Sequence, residues 1–312
     1  MKTYLVTGGA GFIGSHIAEE LVRRGEKVRV LDNFITGKRE NLAPFQNFID
    51  LIDGDIRDLE TCRRAVRRVD YVLHQAALPS VPRSIEEPLL AHDINVNGTL
   101  NLLVTSVEAK VKKFIFASSS SVYGDDPELP KKEGAEGRPL SPYAVHKLID
   151  EKYCQIFYEI YGLETICLRY FNVFGPRQDP TSQYAAAIPL FITQMMRGER
   201  PQIFGDGEQS RDFTHVANVV EANIRAIEAP ETTGGEAFNI ACGERTSVNT
   251  LAREIGDLLG VSIQPHYTDP RPGDILHSFA DIEKARQALH FEPLVGFKLG
   301  LKKAVAWYRK RR

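Results

Sequence analysis

Cysteine is scarce in this 312-residue chain and poorly placed for cross-linking. Cys62, Cys154, Cys167 and Cys242 lie far apart with no C-x-x-C spacing, which indicates neither a disulfide framework nor a zinc site and fits a reducing cytoplasm. A charge excess is missing as well. The 39 Lys and Arg stand against 41 Asp and Glu, a formal net charge of -2, so no bulk positive field is available to drive nucleic-acid binding. No apolar run approaches membrane-spanning length, and the sequence opens on a strand-like Lys2 to Thr7 rather than a basic and then apolar leader. Both features predict a protein that is neither membrane-inserted nor exported. Internal repeats and low-complexity tracts are absent too. What is left is an ordinary globular composition in a chain long enough for one large domain or two smaller ones.

Lys2-Thr3-Tyr4-Leu5-Val6-Thr7 reads as a buried strand, and Gly8-Gly9-Ala10-Gly11-Phe12-Ile13-Gly14 turns it into a helix running to about Arg24. Glycines at 8, 11 and 14 permit a tight turn, close approach of backbone to a pyrophosphate, and close helix-on-strand packing, with the helix N-terminus facing the phosphates. Glycine-rich turns are common, so the placement between strand and helix carries the signal. A second strand, Lys27 to Leu31, ends in Asp32, the acidic residue expected there to bind the adenosine ribose hydroxyls. That favours NAD over NADP, with Lys38 and Arg39 as the alternative, a cationic seat for a 2′-phosphate.

Phe48 to Asp53 reads as a third strand followed by Asp55-Ile56, expected beside the adenine. Tyr71 to Leu73 reads as a fourth, with His74-Gln75-Ala76-Ala77 at its C-terminal edge, where ligands sit in open parallel sheets. His74 is read as a histidine satisfied by backbone at a strand end, because a better base lies downstream. Leu89 to Glu108 predicts a long helix containing Asn95. Lys113 to Ala117 is the fifth strand, delivering Ser118 to Ser121, and Glu164 to Leu168 is the sixth, leading into Arg169 to Arg177. Strands alternating with helices give an α/β fold, a doubly wound parallel sheet of the Rossmann type. From about Gln178 the short helices and Pro- and Gly-rich loops predict a smaller, non-contiguous substrate-binding lobe in the C-terminal half. The expected division is 1–176 for the nucleotide domain, with returning segments near 214–242, and 177–213 with 243–312 for the lobe.

Ser141-Pro142-Tyr143-Ala144-Val145-His146-Lys147 carries the candidate chemistry. Tyr143 and Lys147, four apart, share one face of a helix. An ammonium near the phenol favours tyrosinate, lowering a value ordinarily near ~10 toward that of a useful base. Surface helices carry such pairs often, and it is the glycine turn upstream that makes this one informative.

Gly8 to Gly14 with its G-x-x-G-x-x-G spacing, Asp32, the serine run, Tyr143/Lys147 and Arg169 to Gly175 together resemble an extended short-chain dehydrogenase/reductase, and within that group the UDP-hexose 4-epimerases. The resemblance spans essentially the whole chain. Its most specific phrases are Ser118-Ser119-Ser120-Ser121-Val122-Tyr123-Gly124, Leu168-Arg169-Tyr170-Phe171-Asn172-Val173-Phe174-Gly175 and Ser210-Arg211-Asp212-Phe213. It implies Ser119 as the catalytic serine, Tyr143 as the base and Lys147 as its partner. It further implies NAD held by Gly8, Gly11, Phe12, Ile13, Gly14, Asp32, Asn33, Asp55, Ile56, Gln75, Ala76, Ala77, Asn95, Tyr143, Lys147 and Tyr170. A UDP-sugar would then meet Ser119, Ser120, Tyr143, Asn172, Arg211, Arg271, Asp274 and Ser278.

The implied reaction inverts C4 of a nucleotide sugar through a 4-keto intermediate, with NAD regenerated and no metal required. Arginines suit the diphosphate because a planar guanidinium makes paired, charge-assisted hydrogen bonds. Arg177 and Arg225 are read as ion-pair residues instead. Dehydratases and decarboxylases of the same group are expected to carry acidic residues just after the serine, where this chain has Ser120 and Ser121. A UDP-glucuronate 4-epimerase and a non-catalytic NAD-bound sensor remain as alternatives. Gly273 to Asp281 resembles the stretch where these epimerases place a pocket-wall residue beside the sugar C2 substituent, which implies that Ser278 is that residue and that its small size leaves room for an acetamido group. A homodimer through Leu89 to Glu108 and Tyr143 to Tyr161 is also expected.

Overall fold

Short apolar segments separated by helices become one sheet. The computed structural model describes residues 1–181, 186–270 and 276–311. Seven strands, β1 (Thr3–Thr7), β2 (Lys27–Asp32), β3 (Ile49–Asp53), β4 (Tyr71–His74), β5 (Lys113–Ser119), β6 (Glu164–Tyr170) and β7 (Glu236–Ile240), pair in the order 3-2-1-4-5-6-7. All the pairings are parallel. The winding reverses between β1 and β4, so a crevice opens above their carboxyl ends, where such sheets bind ligands.

A sheet buried on both faces demands strands without alternation, and Phe114, Ile115 and Phe116 of β5 are all 0% exposed. One face packs on the helices Phe12–Arg23 and Val216–Glu228 through Ile17, Leu21, Val219 and Ala222. The other packs on Leu59–Val66, Gly98–Glu108 and Pro142–Tyr161 through Cys62, Leu102, Leu103, Cys154 and Phe157. Burying one such aromatic or aliphatic side chain stabilises by roughly 1.5–3 kcal/mol. The predicted helix 89–108 is present from Pro88 as Pro88–His92 and Gly98–Glu108, joined by a π-helical turn at Asp93–Asn97 that carries Asn95. A single widened turn of this kind often sits at a functional site.

The C-terminal half builds a second core around Phe174, Phe191, Ile192, Leu251, Ile255 and Leu301. Its short strands include Ser210–Arg211, flanked by Thr246–Ser247 on one side and His277–Ser278 on the other. The helix Val216–Glu228 and β7 return to the sheet. So does Glu283–Leu289, whose Ala285 and Leu289 join Phe238 in the sheet's core. The stretch 243–312 therefore contributes to both cores. No described helix is long and apolar enough to cross a membrane.

Candidate active site

One cavity of about 1220 Å³ runs from the glycine turn to Ser278. Pockets for a single small ligand occupy about 300–1,000 Å³, so this one has room for two molecules end to end. Its lining brings together Gly8, Gly11, Phe12, Ile13, Gly14, Asp32, Asn33, Ile56, Gln75, Ala76, Ala77, Ser119, Ser120, Tyr143, Lys147, Tyr170, Asn172, Arg211 and Ser278. Residues from both ends of the chain thus share one wall system because β1, β4, β5 and β6 all end there.

At the glycine end, sterics leave no choice of residue. A Cβ on Gly14 would lie 2.2 Å from the Gly8 carbonyl oxygen, and one on Gly8, whose φ is +63°, would lie 2.8 Å from the Ala76 backbone. The helix Phe12–Arg23 starts at Gly11 with no side-chain cap, so its first N–H groups are left for an anion. These residues fit a dinucleotide pyrophosphate. Asp32 accepts from Ala10 N (2.9 Å) and Phe34 N (2.8 Å), which fixes its carboxylate at the rim, and burial raises its pKa. Lys38 and Arg39 are engaged elsewhere, by Asp179 at 2.8 Å and Asp53 at 2.5 Å. That leaves the ribose edge to a carboxylate and suits NAD.

Two of the expected cofactor residues act from outside the cavity lining. Asn95 accepts from Leu78 N at 2.7 Å and donates to Leu78 O at 3.3 Å, so the π turn positions the loop after β4. Asp55 is clasped by Arg57 and Asn33, which hold it at about 2. The Tyr170 hydroxyl donates to Gln75 (3.2 Å) and accepts from Asn223 (2.8 Å), locking the ring at the cavity floor. His74 is satisfied, but by Thr7 and Thr99 hydroxyls rather than by backbone.

The reactive residues are held from several directions. Ser141 caps the helix Pro142–Tyr161 by accepting from Ala144 N at 3.1 Å, and Pro142 occupies its first turn. Tyr143 N donates to the buried Ser84 hydroxyl at 3.1 Å, which in turn donates to Val81 O at 2.7 Å. Ser119 accepts from Ser121 N at 3.2 Å, and its hydroxyl favours the ionised form of the Tyr143 phenol. Lys147 is 3% exposed and donates to Ala117 O at 2.7 Å, with its ammonium 4.5 Å from the Phe116 ring centroid and 5.8 Å from that of Tyr143. In this chain alone the expectation of a lowered phenol is not met. Burial pushes Tyr143 up to about 12, the Ser119 hydrogen bond opposes, and the Asp150 charge adds to the rise.

Behind the serines lies a charged network that sequence reasoning missed. Glu151 accepts from Ser118 at 2.5 Å and takes the Arg169 fork at 2.9 and 2.7 Å, while Arg169 also meets Glu136 at 2.5 Å and Tyr123 OH at 2.9 Å. It ties β5, β6 and the helix of Tyr143 into one block. The Ser121 hydroxyl, beside the expected Ser119 and Ser120, lines the cavity buried and, among the described residues, without a partner. Only its place in the serine run pointed to it.

On the far wall Asn172 adopts a left-handed backbone (φ +35°) and donates to Asp212 O at 3.1 Å. Arg211 and Ser278 lie on paired strands. Asp212, quoted in the Ser210 to Phe213 phrase without a role, accepts from Cys242 N and Gly243 N, both at 2.9 Å, and burial lifts it to about 6. Arg177 pairs with Glu19 at 2.5 Å and Arg225 with Glu221 at 2.7 Å, as read. Arg271 and Asp274 lie outside the described residues.

Residues 4–241 match the model of the NAD dependent epimerase/dehydratase family. A putative UDP-glucose 4-epimerase of Methanocaldococcus jannaschii is 40% identical over 98% of both chains. A UDP-N-acetylglucosamine 4-epimerase from Methanobrevibacter ruminantium M1, solved in complex with UDP-N-acetylmuramic acid, superposes with a TM-score of 0.95 at 43% identity, covering 100% of this chain and 99% of the other. The Thermus thermophilus UDP-glucose 4-epimerase, solved with NAD, gives 0.90 at 37% identity over 98% and 99%.

Proposed function

The chain belongs to the NAD-dependent epimerase/dehydratase family, and from that premise we propose that it is a UDP-hexose 4-epimerase whose pocket accepts N-acetylated as well as unacetylated sugars. The observation that carries the reading is the single cavity, which holds Ser119, Tyr143 and Lys147 between a glycine cradle and the Arg211/Ser278 wall. Bound there, NAD would supply the acceptor and donor of hydride at the sugar C4, together with a positive charge.

The chain's own residues move the proton. The Tyr143 oxygen takes it from the sugar 4-hydroxyl, and the Ser119 hydroxyl, which favours the ionised phenol, holds the reacting oxygen in line. Lys147 keeps a cation against the site without competing for the proton. After the keto sugar turns over, the Tyr143 phenol returns the proton to the opposite epimer. Hydroxyls at 120 and 121 are poor acids and bases at neutral pH, which supports epimerisation over elimination.

Arg211 and Asn172 are the proposed diphosphate contacts from the described residues. The cavity's Lys38, Arg83 and Arg177 already hold Asp179, Glu87 and Glu19 at 2.8, 2.6 and 2.5 Å, which favours a neutral sugar over a uronate. The small Ser278 side chain at the wall supports an acetamido group at C2. Incubation with UDP-glucose, UDP-N-acetylglucosamine and UDP-glucuronate separately, with products identified by NMR, tests the reading. C4 epimers of the first two are expected, and turnover of the uronate alone would overturn it.

We further read the protein as a cytoplasmic homodimer. Its cysteines are free thiols. Leu89, Ile156, Ile160 and Tyr161 are 86, 43, 67 and 56% exposed on the two helices expected to pair, an apolar excess that a four-helix bundle would cover.

A further inference from the structure

Asp150 lies one helical turn beyond Lys147, is 0% exposed, and among the described residues has no hydrogen-bond partner on either carboxylate oxygen. The neighbouring Thr99 hydroxyl is committed to the Asn95 carbonyl at 2.5 Å. Buried carboxylates of this kind are rare, because desolvation costs more than residual attractions return. Something must offset the cost.

The charged and titratable groups around it narrow the choice. Its own helix presents Tyr143, Lys147 and Glu151; Lys147 in turn faces Cys154 and Glu151 of that helix, Cys167 of β6 and His74 of β4, which burial and the Lys147 charge keep neutral. Arg169 is matched by Glu151 and Glu136. Lys147 has a carbonyl and an aromatic face, and among the described residues the carboxylates acting on it are Asp150 and, more weakly, the Arg169-paired Glu151. A buried ammonium and a buried carboxyl group therefore remain, three residues apart on the same helix; burial raises the carboxyl well above its ordinary value and the Lys147 charge opposes that rise.

We propose that Asp150 is the buried counter-ion of Lys147, a positioning residue that controls how readily the Tyr143 hydroxyl yields its proton, through charge and not through contact. This rests on the reading of Tyr143 as the base. Burial alone would strip the ammonium of its proton, and Asp150 is the largest opposing influence. The same negative charge also makes Tyr143 harder to ionise. Both groups lose a proton more easily once that charge is gone, so the two move together.

The test is Asp150→Asn in the NAD-loaded protein, with Asp150→Ser read the same way should the amide variant fail to fold. Both limbs of the pH profile of kcat/KM are expected to move to lower pH by about one unit or more. Asp150→Glu should return the limbs toward their original positions even at reduced amplitude. A second readout needs no substrate: the ζ-carbon resonance of labelled tyrosine, assigned through Tyr143→Phe, should titrate at lower pH in Asp150→Asn. That measurement stands whichever sugar nucleotide the protein uses. Limbs and phenol titration left in place, at any amplitude, would overturn the proposal and make Asp150 a protonated packing residue.

Discussion

Arg211 and Ser278 are register partners on adjacent parallel strands, and both line the cavity. In the proposed reading, the strand that offers a guanidinium to one part of the ligand is the neighbour of the strand that walls another part. Asp212 ties them together by accepting from Ala280 N and from the Cys242–Gly243 turn. A change of side chain at 278 acts on a wall whose backbone is fixed.

Ser278→Tyr is accordingly expected to abolish interconversion of UDP-N-acetylglucosamine and UDP-N-acetylgalactosamine while sparing the unacetylated pair. Overfilling a packed wall by even a methylene typically costs ~1–3 kcal/mol, and an acetamido group facing a tyrosine ring demands far more space. Product ratios by NMR give the answer. Equal loss of both activities would show that Ser278 does not face the sugar.

Tyr143→Phe should lower kcat by a factor of ~10²–10⁴ or more with thermal stability retained, as removal of a general base does. Lys147→Ala should act in the same direction. Near wild-type turnover in Tyr143→Phe would remove Tyr143 from the mechanism.

The cofactor half of this site was legible because it is local. A strand, three glycines and a helix are contiguous, and Asp32 closes the next strand, so spacing alone reports geometry. Ser119 and Tyr143 were legible only through the phrases around them, since nothing in a single sequence says that β5 and a helix further along the chain converge. Ser84, Glu151 and Asp212 had no legible role for a further reason. Each works by satisfying backbone or guanidinium groups from remote segments, and a buried Ser, Glu or Asp has no pattern to distinguish it from an exposed one. The phenol of Tyr143 is the clearest lesson: helical spacing put a cation near the ring, but burial outweighs it in the chain alone.

Gly14→Ala should cost the bound nucleotide before it costs the fold. Its Cβ would stand 2.2 Å from the Gly8 carbonyl oxygen and 2.8 Å from that carbonyl carbon, so the turn must open and its N–H groups must lose their aim. Nucleotide released on acid denaturation, measured by absorbance, should fall at least tenfold, by analogy with the loss of a set of charge-assisted hydrogen bonds. A full complement of nucleotide would sink the cradle assignment.

Ile160→Asp, on the exposed side of the helix Pro142–Tyr161, should shift the protein from dimer to monomer in light scattering at micromolar concentration. Ile160 is 67% exposed and so has little to lose within one chain, whereas an interface would have to bury the new charge. A wild-type protein that is already monomeric would refute the pairing.

Acid stability follows from His74. It is 1% exposed, with Nδ1 2.7 Å from the Thr7 hydroxyl and Nε2 2.9 Å from that of Thr99. Thr99 donates its only hydroxyl proton to Asn95 O, so it must accept from Nε2–H, and Nδ1 must accept from Thr7. The ring is therefore neutral and fully satisfied, and burial together with the Lys147 charge lowers its pKa to about 3 against an ordinary 6.5. The folded value lies below the unfolded one, so the contribution is complete above 6.5 and is lost as pH falls toward 3, because the unfolded chain takes up a proton that the fold refuses. Between pH 7 and 5 the loss is about 2 kcal/mol for this one residue. Asp212, lifted to about 6, works in the opposite direction as its carboxylate is protonated, while His16, His146 and His215, each lowered to about 4, work in the same direction, so the net slope does not isolate His74. Comparing urea denaturation of wild type and His74→Gln at the two pH values cancels these groups, which both share. Wild type should lose about 2 kcal/mol more than the variant on acidification; an equal loss would mean that His74 is not held neutral.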